Sequence, residues 1–198
     1  MKNILLSTAV VTLLAACGGS GASDSITADD AKIDLSKEAK GSVVIPTPYG
    51  KLHGYNQYAS FYGVWTDNSG QVKELRYRGD KTDNVPQSGK AVYHGNAVRW
   101  DTVGDKVYTK GESTLNVDFG ERIVDGKIIL PGTRRDIDLK QGRLRGAEYS
   151  GNASVVGNDK GRYEGALYGE NAKETAGQVV FPNDSSLNTS FGGVRLDN

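Results

Sequence analysis

Residue character in this chain alternates with a period of two, in short runs that succeed one another along its length. The clearest run is "YNQYASFYGVW" at 55–65. Tyr55, Gln57, Ala59, Phe61, Gly63 and Trp65 fall on one face, and Asn56, Tyr58, Ser60, Tyr62 and Val64 on the other. Alternation with aromatic residues on both faces describes a strand. Further runs follow at 71–79, 88–100, 110–120, 122–130, 134–139, 143–156, 161–169, 176–181 and 188–196, with Gly, Asn and Asp between them. The runs at 110–120 and 122–130 are separated by one residue and predict a tight hairpin. No helical period persists beyond the first 16 residues. Glycine accounts for 26 residues, many of them inside the runs, such as Gly54, Gly63, Gly95, Gly151, Gly165 and Gly169. In strands such glycines mark bends, bulges or close approaches. Sequential hairpins predict a meander, and a closed barrel removes the edges a meander leaves exposed. A sandwich is the competing architecture.

The N-terminus reads differently. Lys2 precedes an apolar stretch of 13 residues, Ile4 to Ala16, which is too short for a permanent span and has the size and flanks of an export signal. Cys17 follows at once and is the chain's single cysteine, so an intramolecular disulfide is impossible. "GGSGAS" after it is a flexible-linker composition without the partner base a nucleophilic thiolate needs. An ordinary signal cleaved beside a small residue would leave Cys17 as a free exported thiol. "LAAC" at 14–17 resembles the lipobox of bacterial lipoproteins. That resemblance implies cleavage before Cys17 and acylation of its sulfur and new amino group. Gly18, where an inner-membrane lipoprotein carries Asp, implies an outer-membrane anchor.

Loss of Lys2 takes Lys+Arg from 24 to 23, against 24 Asp+Glu. A balance near zero gives no support for nucleic-acid binding, which needs a basic excess. Residues 26–52 carry a charged stretch and then "SVVIPTPY", where Pro46 and Pro48 bar a central-strand role. They are expected to form an arm that packs on the barrel or caps one end, or a stalk that holds it off the membrane.

"GALYGENAKETAGQVVF" at 165–181 resembles the signature of the barrel domains of transferrin-binding protein B, with Gly165, Tyr168, Gly169, Ala172, Glu174 and Gly177 in matching places. Leu167 and Ala176 depart from that pattern. "SFGGVR" at 190–195, "STLNVDFGERIVDGKI" at 113–128 and "YHGNAV" at 93–98 resemble other strands of the same domains, so the likeness covers roughly 88–195. "GYNQYASFYGVW" at 54–65 resembles a motif of small Slam-dependent surface lipoproteins, among them the haem-scavenging hemophilins. The resemblance implies an all-β chain: an eight-stranded antiparallel up-and-down β-barrel with a short N-terminal arm or handle. It also implies passage by a surface-lipoprotein translocator and display outside the cell. The expected organisation is a signal at 1–16, acylated Cys17 and linker at 17–25, the arm at 26–52 and the barrel at 53–198. In "ENAKET" a one-turn helical detour is expected, with Asn171 as its cap.

Candidate ligand residues are few. His53 sits in "GKLHGYN", expected just before the first strand. An imidazole there is a potential axial ligand for haem, with Tyr55, Tyr58, Phe61, Tyr62 and Trp65 as an apolar slot. A solvent-exposed loop histidine is the plainer alternative. His94 lies in a strand, where a satisfied sheet residue is the commoner role. Two histidines and no spare cysteine argue against a structural zinc site. "DFG" at 118–120 lacks the other kinase elements, and no nucleophile elbow or phosphate loop is present. The carboxylates are scattered, so no catalytic pair can be named. Between 121 and 145 seven basic residues face four acidic ones, which suits a solvated rim or a polar interface. Together these features predict a non-enzymatic binder. Its partner is haem or an iron- or haem-carrying host protein for nutrient acquisition, or complement factor H or another host protein for immune evasion.

Overall fold

The computed structural model describes residues 33–101, 106–132 and 135–196. The signal, Cys17 and the linker lie outside the described residues. Among the described residues, twelve strands are divided between two sheets. β1 (Gly41–Thr47), β2 (Gly50–Asn56), β3 (Ser60–Asp67) and β4 (Val72–Gly79) form an open antiparallel meander, here called the handle. β5 (Lys90–Asp101), β6 (Lys106–Asp118), β7 (Ile123–Ile129), β8 (Ile137–Arg145), β9 (Glu148–Val155), β10 (Asn158–Tyr168), β11 (Glu174–Val180) and β12 (Thr189–Arg195) follow in chain order. Together they make a closed eight-stranded antiparallel barrel, shut by β12 pairing with β5 from Thr189↔Arg99 to Arg195↔Tyr93.

The barrel therefore starts at Lys90, whereas a start at residue 53 was expected. Residues 53–79 belong to the handle with 41–47. The long alternating run at 55–65 is also two strands, because 57–59 form the loop between β2 and β3. Pro46 lies on β1, an edge of the handle sheet, where a missing donor costs no ladder bond. β8 runs straight through "KQG", and the chain turns instead at Gly146, whose φ of +58° suits a glycine.

The barrel lumen is filled. Tyr93, Leu115, Ile128, Tyr149, Tyr163, Leu167, Phe181 and Phe191 are buried members of one apolar core. Its tyrosines reach backbone or hydroxyl partners. Tyr93 donates to Ala172 O at 2.6 Å, Tyr163 donates to Lys140 O at 2.8 Å, and Tyr149 lies 2.7 Å from Thr175 Oγ1. Such bonds remove the penalty of burying a hydroxyl. Gly165 sits under the Tyr149 ring; a Cβ there would lie 2.3 Å from Tyr149 Oη. The outer wall at β7 to β10 carries Lys127, Asp138, Lys140, Arg143, Arg145, Arg162 and Glu164, all exposed. That is a water-facing wall without the apolar band of a lipid-facing barrel.

Two ends of the barrel can be distinguished. At one, the linker end, the segment 80–89 crosses from β4 to β5 and buries Val85 in the barrel core. At the other, the far end, lie the connections β5–β6, β7–β8, β9–β10 and β11–β12. Leu130, Phe181 and Leu187 close the lumen beneath them.

The handle lies against the outside of the barrel. β3 crosses β5 and β12, and β4 crosses β11. Tyr62, Val64 and Tyr77 pack on Val98, Ala166, Tyr168 and Ala176 in a second buried cluster. Gly192 leaves room for the Tyr62 ring, since a Cβ there would lie 2.3 Å from it. Hydrogen bonds fix the register of this contact: Ser190 Oγ to Gly63 O at 2.5 Å, Asn96 N to Tyr62 Oη at 3.1 Å, and Tyr55 Oη to Thr109 O at 2.8 Å.

Candidate functional site

The residues 165–181 build the joint between barrel and handle. Gly169, at φ +72°, turns the chain out of β10. A one-turn 3₁₀ helix follows at Glu170–Ala172, with Gly169 at its N-cap. The expected detour is there, but Asn171 is not its cap. It sits inside the turn at φ 56°, a left-handed position that asparagine tolerates better than most residues. Ala172 is buried and its carbonyl takes the Tyr93 hydroxyl. Tyr168 is buried between the sheets.

Glu174 is the polar centre of the joint. It is 4% exposed and its carboxylate points out of the barrel into the β2–β3 loop. Oε1 accepts from Tyr58 N at 2.9 Å, while Oε2 accepts from Ala59 N at 2.9 Å and from Ser60 Oγ at 2.8 Å. Gln57 Nε2 adds a bond to Thr175 O at 3.1 Å. The loop is thus pinned to the start of β11, and at its tip Tyr58 is 86% exposed with Lys40 Nζ 5.7 Å from its ring centroid.

The four candidate ligand residues do not converge. Tyr62 is 1% exposed, stacked on Tyr55 at 5.6 Å between centroids, with its phenol pushed up by burial. It is a wedge in the handle–barrel contact and offers no surface to a ligand. Tyr58 projects into solvent. His94 is exposed on the barrel wall with Nδ1 3.2 Å from Thr114 Oγ1. His53 lies in the middle of β2, beyond the expected position before the first strand, and is paired with Val44 and Val64.

His53 faces a cleft of about 260 Å³ between handle and barrel, lined by Lys51, Thr66, Asp67, Trp100, Lys106 and Val107 among others. Its Nε2 is 3.2 Å from Thr66 Oγ1. Burial, helped by the Lys51 ammonium, holds its imidazole below the ordinary histidine value. The aromatic wall of this cleft is Trp100. Trp65 and Phe61, which sequence proximity suggested, lie on the opposite face of the handle, because Leu52 pairs with Trp65 and Asn56 with Phe61. Trp100 is the residue that sequence reasoning missed. Its signal was a large aromatic at the end of a strand, next to a turn.

The cleft sits towards the far end, since Trp100 is near the end of β5 and Lys106 opens β6. The handle's two turns reach the same region. Asn68 Nδ2 joins them by donating to Pro48 O at 3.3 Å. Tyr49 is exposed on this side, as are Ile129 and Val156 on the barrel's own far-end connections. Arg135 Nη2 and Asp184 Oδ2 pair across two of those connections at 2.8 Å. Among the described residues no group of three His, Cys, Asp or Glu side chains converges on a metal position.

The model of the C-lobe and N-lobe β-barrels of transferrin-binding protein B matches residues 85–195, more than half of the chain. The chain belongs to this family. The matched residues coincide with the closed barrel and the segment that enters it, and the handle lies before them. Transferrin-binding protein B of Moraxella catarrhalis is 24% identical across 99% of this chain and 31% of that protein. The chain thus spans about a third of that curated relative. Among solved structures, the apo haemoglobin receptor HpuA from Kingella denitrificans matches with a TM-score of 0.66. It is 23% identical and covers 80% of this chain and 68% of that one. HpuA in complex with human haemoglobin gives a TM-score of 0.63 at 24% identity, covering 77% and 59%. Both matches extend over the handle as well as the barrel, so this family member shares the handle-plus-barrel fold.

Proposed function

We propose that the chain is a lipoprotein displayed on the outer membrane that captures a host iron- or haem-carrying protein without turnover. Cys17 is the acylated anchor in this reading, and a surface-lipoprotein translocator carries the chain outward. The observation that carries the proposal is the filled barrel of a transferrin-binding-protein family member. With the lumen packed by side chains, recognition falls to the outer surface. The solved relative that holds human haemoglobin supports the choice of partner class. So does the relative named for transferrin.

The far end is the better placed face. Arg78 Nη2 donates to Ile33 O at 2.9 Å, and Asn56 Nδ2 donates to Leu35 O at 2.9 Å, so the segment leading back towards Cys17 meets the body beside the Tyr58 loop at the linker end. The far end, with the handle turns beside it, points away from that attachment. Free haem is the weaker candidate, because the His53 cleft is smaller than the ~300–1,000 Å³ of ordinary small-molecule pockets.

Purified full chain in detergent is to be tested against transferrin, lactoferrin, haemoglobin and hemin. Saturable capture of one of the proteins, with no Soret shift from hemin alone, is the expected result. Recovery of factor H from serum with none of the iron or haem proteins bound would replace this reading with immune evasion.

A further inference from the structure

The His53 cleft has a floor and a rim of opposite character. Trp100 and Val107 supply half-buried apolar surface from the barrel. Lys51 from the handle and Lys106 from the barrel are both exposed at the rim, and neither has an ion-pair partner among the described residues. The carboxylate at the same rim is engaged elsewhere: Asp67 Oδ1 accepts from Ser69 N at 2.9 Å, Ser69 Oγ at 2.6 Å and Gln71 N at 3.0 Å within its turn. Two ammonium groups without an ion-pair partner among the described residues thus line one cleft, from two different sheets, with the Asp67 carboxylate held back in its own turn.

We propose that this cleft is an anchor pocket for a glutamate side chain of the captured host protein. The methylenes lie on Trp100 and Val107, and the carboxylate sits between Lys51 and Lys106. The size of the cleft, about 260 Å³, suits one side chain. The lysine pair supplies charge complementarity, and charge-assisted bonds are the strong ones where water is partly excluded. Tryptophan is enriched among the residues that carry binding energy at interfaces. His53 shapes the wall and, uncharged at neutral pH, adds no further cation. The pocket is continuous with the far-end face and rests on the reading of that face as the capture surface. It adds the residue chemistry that this face would select.

Two experiments separate failure of the pocket from failure of the capture reading. In the first, the full chain in detergent carries ¹⁵N-labelled tryptophan, so two indole signals are expected, one each from Trp65 and Trp100, assigned with Trp100→Phe. Titration with 3-phenylpropionate should shift the Trp100 signal saturably at millimolar concentration. Lys51→Glu with Lys106→Glu should abolish that shift. No shift, or an equal shift from neutral 3-phenylpropan-1-ol, overturns the pocket whether or not a host protein binds. In the second, whichever of transferrin, lactoferrin or haemoglobin the wild type captures is titrated against the double variant. A loss of about 30-fold or more in affinity is expected for a desolvated charge contact. Unchanged affinity beside a lost 3-phenylpropionate shift assigns the cleft to a free carboxylate and overturns the glutamate anchor.

Discussion

Glu174→Ala tests the joint on which the arrangement of handle and barrel depends. The carboxylate is almost wholly buried and accepts three hydrogen bonds, two from backbone amides and one from a hydroxyl. Bonds to a charged group contribute about 1.5–3 kcal/mol each, and a donor stranded without a partner costs about 1–3 kcal/mol. The three share one acceptor group and are not additive. The loop can also swing into water, so the loss is capped by the free energy of loop opening. A total of about 3–4 kcal/mol is the expected cost, a large share of a domain stability of about 5–15 kcal/mol. Glu174→Gln keeps the acceptor facing Tyr58 N but turns an amide donor towards Ala59 N, so it should lose about 1–3 kcal/mol. Urea unfolding reads the global term. Hydrogen exchange reads the local one: the Tyr58 and Ala59 amides should exchange about 100-fold faster or more in the alanine variant, while the β6–β7 amides of the barrel hold. If both variants unfold within 0.5 kcal/mol of wild type and the two amides keep their protection, the clamp has no energetic role and the reasoning fails.

Gly192→Ala places a methyl group where the Tyr62 ring lies and should cost about 1–3 kcal/mol by overpacking; combining it with Tyr62→Ala should recover part of that term, and a simple sum of the two single losses in calorimetry would contradict the contact. His53 has a folded pKa below its unfolded value, so it contributes no loss above about pH 6.5. As pH falls through the interval between the unfolded and the lowered folded value, the unfolded state binds the proton more readily and stability drops. Melting temperatures at pH 7.5 and 5.5 should therefore differ more for wild type than for His53→Asn, and equal differences would show that His53 does not titrate with folding. Arg135→Ala removes an exposed ion pair with Asp184 and should change the melting temperature by less than about 4 °C, since such pairs contribute about 0–1 kcal/mol. A fall of 5 °C or more would mean that the pair holds two far-end connections in place.

The barrel strands away from the handle, β6 to β9, were legible because each has one face in a packed lumen and one towards water, which imposes a period of two. The handle was not separable by the same rule. Residues 55–65 alternate without a break, yet the chain reverses at 57–59, and the reversal is written in Glu174, some 115 residues away. Sheet membership depends on such long-range partners. A period of two reports on faces and is silent about which sheet owns the strand. The same distance hid the His53 cleft, whose apolar wall comes from Trp100 and Val107 on the other sheet. Tyr62 was misread for a related reason. An aromatic on an alternating strand next to a histidine looks available, but here both faces of β3 are covered, one of them by the barrel. Asn171 was read from residue type alone, and its left-handed φ shows a backbone role where a capping side chain was expected.

The filled lumen and the pinned handle together define where variation is tolerated. Inside, Tyr149 and Tyr163 stand over glycine positions and bond to fixed acceptors, so a change in any of them disturbs several neighbours. At the linker end, Glu174, Tyr168 and Ala172 tie three elements to one another. The far end differs in kind. Val156 there is almost fully exposed, and Arg135 and Asp184 meet across two connections as an exposed pair. Lys51 and Lys106 line one cleft, and neither has an ion-pair partner among the described residues. Residues that satisfy no folding requirement yet hold charge and apolar area together cost solubility and self-repulsion unless a partner uses them. With no room inside the barrel, the proposed host protein would use this outer surface, where the cleft is lined by handle and barrel together.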